Sequence, residues 1–365
     1  MASKAVIKKK LLIFSMLVVL ILPAAGCERS TPSKVLFTHI PRNGKDREIY
    51  VMDADGSNQT KLTDTLALGE YPCWSPDGGK ISFVSERDGN SEIYIMDADG
   101  GNLKNLTNNP SSDDMPSWFP DGKKIFFESD RDGKHWLYSM DADGSNQAML
   151  PYYSSDWGWW VLSPDGKKVA FQCYREGARD IWVMNLETGE ETNLTHHPSR
   201  DEGPMWSADG KEIAFTSERD GHGEVYVVDA DGSNLRKVTT YSGTVPPPKQ
   251  EVQEPTGYLG LAWFPDGEKL LVWLWDYDTG RWELYTIDKN GKNQVNLTRD
   301  LPGGGMYPIG SCSPDGRKVV FSIWLPHLPD SGNVSEIWIV DADGSNLTRL
   351  TYNQAWDEFP AWQLR

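Results

Sequence analysis

The chain has 365 residues, 34 Gly and 23 Pro, more turn formers than the ordinary share of about 12%. Its formal charge is −17, and setting aside Lys4, Lys8, Lys9 and Lys10 of the acid-free first 26 residues leaves −21. Such a balance excludes nucleic acid as a partner, because that affinity comes mostly from clustered Lys and Arg. It suits a basic protein, a cation or a neutral glycan.

The N-terminus carries a Lys-rich start, an apolar run from Leu11 to Leu22 and small residues before Cys27. This is the layout of an export signal, too short to span a bilayer comfortably. Leu22-Pro23-Ala24-Ala25-Gly26-Cys27 resembles the bacterial lipobox, with Ala24 where that pattern prefers Leu. The resemblance implies a signal peptide over 1–26, a lipid on Cys27 and a short linker through 33. It places the chain in the cell envelope, anchored on the exported side of a membrane. Cys73, Cys173 and Cys312 are an odd and scattered set, and read as buried thiols.

From residue 34 onward the chain repeats. Trp74-Ser75-Pro76-Asp77-Gly78 returns at Trp118, Leu162, Trp206, Trp263 and Cys312, and the first three steps are each 44 residues. Later steps are longer and carry insertions. A second turn, Asp53-Ala54-Asp55-Gly56 and its relatives, recurs between these markers, giving seven units. Bursts such as Lys80-Ile81-Ser82-Phe83-Val84 and Glu92-Ile93-Tyr94-Ile95-Met96 have strand periodicity. Four strands per period is a propeller blade. Residues 34–64 supply three strands and Glu358-Phe359-Pro360-Ala361-Trp362 a first strand. The expected fold is therefore all-β: a seven-bladed propeller of four-stranded antiparallel blades over 34–365. Its ring closes through a blade shared by the N- and C-terminal strands, which covers open edges.

The unit Pro-x-Trp-Ser-Pro-Asp-Gly-Lys, Ile-x-Phe-x-Ser-x-Arg-Asp-Gly, Ile-Tyr-x-Met-Asp-Ala-Asp-Gly-Ser-Asn and Leu-Thr is similar to the TolB-type propeller repeat. The resemblance covers residues 34–364 and concerns the repeat family, not the protein TolB itself. It implies the fold strongly and the function weakly, since such propellers include binding proteins, lyases and peptidase accessory domains.

In antiparallel blades the connections alternate between the two ends of the sheet. Uniform hairpins occupy one face. The insertions at 241–258, 276–282 and 326–335 collect on the other, where a rigid scaffold builds binding sites. Acids stand before the first strands there, at Glu70, Asp113, Asp114, Asp156, Asp201, Glu202, Asp357 and Glu358. Together they could focus negative potential on a ligand; singly, each reads as a tie for the turn before Pro. The candidate ligand-facing set is Glu70, Asp114, Asp201, Glu202, Asp357 and Glu358, with Trp157 and Trp159 as aromatic contacts beside Trp160. Asp-Ala-Asp-Gly-Ser-Asn is read as a hairpin turn rather than a calcium loop.

His196 and His197 are weak metal candidates, and His135, His222 and His327 share their face. No HExxH or Cys-x-x-Cys pattern supports a metal site, and no catalytic residue or cofactor is assigned. The primary reading is a monomeric, membrane-tethered binding or scaffold protein for an envelope protein or glycan. The alternative, implied by the resemblance, is a metal-dependent polysaccharide lyase or hydrolase.

Overall fold

The computed structural model describes residues 34–42, 47–63, 69–153, 159–175, 177–245, 257–301, 306–325, 334–353 and 355–363. The export signal, Cys27, the linker, Asp156, Trp157 and His327 lie outside the described residues. The described chain forms 28 strands in seven antiparallel sheets of four.

Blade 1 is built from both ends of the sequence. Trp356–Trp362 is its innermost strand and pairs with Lys34–Ile40, followed by Glu48–Asp53 and Thr60–Lys61. Blades 2 to 7 follow in chain order, and their innermost strands begin at Glu70, Asp113, Trp160, Asp201, Gly257 and Met306. Those strands adjoin one another around the axis: blade 1 with 2, 2 with 3, 4 with 5, 5 with 6, and 7 with 1.

Each second strand is buried on both sides because blades stack face to face. In blade 1, Leu36 packs with Trp74, Ile81 and Phe83 of blade 2, while Val35 and Phe37 pack with Val320 and Ile337 of blade 7. A period of two thus sends alternate side chains into two different neighbours. Phe83, Phe127, Phe171, Phe215 and Phe321 occupy one repeat position and are fully buried. Each contributes about 1.5–3 kcal/mol by leaving water.

The repeat's tryptophan stitches blades together through its indole N–H. Trp206 donates to the carbonyl of Val161 at 3.2 Å, Trp263 to Met205 at 3.0 Å and Trp362 to Ser311 at 3.1 Å. The Leu-Thr pair has a second task that its sequence does not announce. The hydroxyl of Thr107 accepts the Ile93 amide at 3.0 Å and donates to the buried carboxylate of Glu92. The same amide-to-threonine bond recurs at Thr63, Thr195, Thr239, Thr298 and Thr351.

Candidate functional site: the loop-bearing face

The two faces differ as the alternation of loops requires. On the hairpin face, Ser75 Oγ donates to Asp77 at 2.6 Å and accepts the Lys80 amide at 2.9 Å, while the Gly78 amide closes onto the Ser75 carbonyl at 2.8 Å. In the Asp-Ala-Asp-Gly turns the oxygens that resemble cation ligands are used within the turn. Asn102 Nδ2 donates to Asp97 at 2.6 Å, and Asn58, Asn146, Asn234, Asn293 and Asn346 repeat that bond. Lys80, followed by Asn102, holds the Asp97 carboxyl below its ordinary range. These turns are hairpin chemistry, as the spacing implies.

The opposite face opens on a recurring irregularity of the innermost strand. The register slips by one residue between Glu70 and Cys73, between Asp114 and Ser117, and between Glu202 and Met205. Blade 1 slips likewise beside Glu358. Each is a β-bulge whose extra residue is left-handed: Tyr71 at φ 51°, Met115 at 60°, Gly203 at 62° and Phe359 at 57°. For Tyr, Met and Phe this conformation costs about 1–2 kcal/mol. A proline follows every time and has no amide to lose at a bulge. The acid before the bulge is thereby set at the strand entrance.

The acids separate into two classes. Asp113, Asp201 and Asp357 are 0% exposed. Asp113 meets Arg131 at 2.9 Å, Asp201 meets Arg219 at 3.1 Å, and Asp357 meets His39 Nδ1 at 2.7 Å while accepting from Asn353 at 2.7 Å. Burial pushes the Asp201 carboxyl up, and Ser217, Thr195 and Arg219 oppose that rise. Asp201 and Asp357, counted among ligand-facing residues on sequence grounds, therefore have no surface to offer and are paired inside their own blades.

Glu70, Asp114, Glu202 and Glu358 are only partly buried. Glu70 pairs with Arg47; Glu202 pairs with Arg179 and, at 2.5 Å, with Arg200. Asp114 accepts from Ser112 Oγ at 3.0 Å and lies directly across the strand pair from Glu128. Desolvation raises both carboxyls, while the charge of His135 works against the rise in each. Trp160 Nε1 holds Glu128 at 2.9 Å. The phenol of Tyr71 is pushed up to about 12 by its burial first, then by the negative charge of Asp114 and Glu358, with Arg47 opposing. One side chain thus feels acids from blades 1 and 3 together. Glu218, raised by burial, sits in the field of Arg200, Glu202 and Arg179.

Trp159 is partly buried against the core of blades 4 to 6 and donates to the Pro204 carbonyl at 3.2 Å. Among the described residues the exposed aromatics on this face are Tyr174, Tyr277 and, at 73% exposure, Tyr352 under Arg349. Sequence reasoning passed over these three, and over Arg47, Arg179, Arg200 and Glu128. The insertion at 276–282 marked Tyr277; no repeat pattern marks the others.

Among the described residues the imidazoles are dispersed, His196 and His197 being neighbours in one connection and His39, His135 and His222 lying elsewhere on the ring. His222 meets Glu224 at 3.0 Å, His197 Nδ1 accepts the Ser199 amide at 3.1 Å, and His196 is exposed. Among the described residues no group of three or more His, Cys, Asp or Glu is placed to hold a metal ion. Cys73, Cys173 and Cys312 are buried and free, and burial pushes the Cys73 thiol up to about 12.

The seven blades, their Trp-Ser-Pro-Asp-Gly turns and the Asp-x-Asp-Gly hairpins coincide with a known pattern: the TolB beta propeller domain matches residues 30–104, 70–157 and 159–256. The chain belongs to the TolB beta propeller domain family. The Tol-Pal system protein TolB of Anaeromyxobacter dehalogenans (strain 2CP-C) is 35% identical over 102 residues, 28% of this chain and 20% of that protein. The match therefore spans about a fifth of that relative's length. Among solved structures, TolB from Acinetobacter baumannii aligns over 90% of this chain and 82% of that one, at 20% identity and TM-score 0.55. Oligogalacturonate lyase from Vibrio parahaemolyticus aligns over 88% and 86%, at 14% identity and TM-score 0.61. These likenesses are of fold. The scaffold is thus one found both in a TolB and in a protein named as a lyase.

Proposed function

We propose that this TolB-type propeller is a membrane-tethered binding protein of the cell envelope, which receives a basic segment of a partner protein at its acidic strand entrances. The observation that carries the reading is the repeated bulge: three non-glycine residues are held left-handed to set Glu70, Asp114 and Glu358 at one end of the innermost strands. A strained backbone kept at equivalent sites is a mark of function. The formal charge of −17 supports a cationic ligand, and a relative named for the Tol-Pal system supports an envelope setting.

The test is affinity capture with the full chain from a detergent-solubilised envelope fraction, beside a variant carrying Glu70→Gln, Asp114→Asn, Glu202→Gln and Glu358→Gln. A single protein held by the parent at low salt and lost by a folded variant supports the reading. Capture that survives all four substitutions sinks it.

A further inference from the structure

The bulges decide which residues of the innermost strands reach water. Asp114 with Met115, Glu202 with Gly203, and Glu358 with Phe359 are partly exposed, while the acid before each pair and the proline after it are buried. Blades 1 to 3 fill the left-handed place with large side chains. Their innermost strands adjoin in order, and the rings of Tyr71 and Phe359 stand 5.9 Å apart. Blade 5, three places round the ring from blade 2, has Gly203 instead, and a Cβ there would meet nothing within 4 Å. The mouth therefore has a wall of apolar side chains and acids on one side and open space on the other.

Tyr71 is the residue of that wall that points to a ligand. It is 8% exposed, yet its hydroxyl makes no hydrogen bond among the described residues and is not sealed from water. Burial keeps the phenol protonated, and the acids that bear on it are Asp114 of blade 3 and Glu358 of blade 1. The one cation opposing them there, Arg47, already pairs with Glu70. Asp114 accepts from the neutral Ser112 hydroxyl and has no ion-pair partner among the described residues.

We propose that this wall seats one primary ammonium, held between the Asp114 carboxylate and the Tyr71 oxygen in the field of Glu358, beside Phe359 and Met115. The seat rests on the reading that the entrances receive a basic segment, and it names the residue received: a lysine or a free chain N-terminus rather than an arginine. An ammonium directs its three hydrogens at separate acceptors, which a carboxylate and a phenol from adjoining blades provide. A guanidinium gains most from two coplanar oxygens of one carboxylate. The entrance acids Glu70 and Glu202 already meet arginines of this chain.

The experiment is an NMR titration of the full chain, its tyrosines carrying 13C at Cε, at neutral pH and constant ionic strength. The probes are three pentapeptide amides: N-acetyl-Gly-Gly-Lys-Gly-Gly, its arginine counterpart and unacetylated pentaglycine. The Tyr71 signal, assigned through Tyr71→Phe, is expected to shift saturably with the lysine peptide, at an affinity about fivefold above that of the arginine peptide. Asp114→Asn is expected to erase that preference. Gly203→Phe is expected to weaken binding by filling the open space, at a place where Tyr71 and Phe359 show that left-handed backbone carries a large side chain. Pentaglycine that matches the lysine peptide supports a seat for any primary ammonium, and weaker pentaglycine binding supports one for the lysine side chain. A Tyr71 signal that stays still, or that answers arginine as well as lysine, overturns the seat. The wider reading fails separately, through envelope capture that survives loss of all four entrance acids.

Discussion

Trp74 donates its indole N–H to the carbonyl of Ala361 at 3.3 Å, across 287 residues of sequence and across the closure of the ring. Trp118, one blade on, is buried with its indole nitrogen unbonded among the described residues. Both are replaced by Phe with the same loss of ring volume, but only Trp74→Phe also gives up a hydrogen bond. Trp74→Phe should cost about 1 kcal/mol more than Trp118→Phe in urea unfolding. Equal costs would show that the closing bond adds nothing.

Neighbouring acids should behave as different chemistry. Asp201→Ala leaves the guanidinium of Arg219 uncompensated in the interior, which costs about 3–5 kcal/mol. Glu202→Gln removes a partly exposed partner of Arg179 and Arg200, worth about 0–1 kcal/mol. Thermal or urea denaturation checks the contrast, and capture of a basic partner should respond to Glu202 instead.

Two glycines of blade 3, Gly133 in the Arg-Asp-Gly connection and Gly144 in the Asp-Ala-Asp-Gly turn, give a paired test. Gly133 has φ 81° with open space around its missing Cβ, whereas Gly144 has φ 89° with the Leu106 carbonyl of the preceding blade 2.9 Å from that position. Gly133→Ala should lose about 1 kcal/mol for conformation alone. Gly144→Ala should lose clearly more, because it also forces blades 2 and 3 apart; unfolding midpoints that coincide would remove that contact from the account.

Glu336 gives stability a pH dependence. Burial first, against the pull of Thr351 and Arg349, raises its carboxyl to about 7. A folded pKa above that of the unfolded chain means the native state holds the proton more tightly. Its contribution is fully present below the ordinary glutamate range and is lost as pH rises through about 7. Between pH 5 and 8 the wild type should lose more stability than Glu336→Gln. Parallel melting curves for the two would contradict this.

The fold was legible because its signals are local. Pro-Asp-Gly and Asp-x-Asp-Gly specify turns through their own backbone preferences, and alternation within each burst specifies strands. Their recurrence counted the blades, and the incomplete units at Lys34 and Trp362 showed how the ring closes. The site was legible only as a zone. Asp201 and Glu202 carry the same charge at adjacent positions, yet one is sealed against Arg219 and the other stands at the surface between two arginines.

That division belongs to the tertiary structure. Successive residues of a strand point to opposite sides, so whether an acid is exposed depends on what the neighbouring strand and blade bring to each side. Of the partners that decide it, Arg131 and Arg219 stand in the repeated Arg-Asp-Gly, whereas Arg47, Arg179, Arg200 and His39 come from loops and strands whose sequences carry no shared mark. Gly69 makes the same point: its lack of a side chain follows from Ile49 on the adjacent blade, whose Cγ1 is 2.8 Å from where a Cβ would stand. Sequence determined by itself what each unit is, since turns and alternation act over a few residues. Packing between units decided which charges meet, since Coulomb and desolvation energies depend on distances that only the closed ring sets.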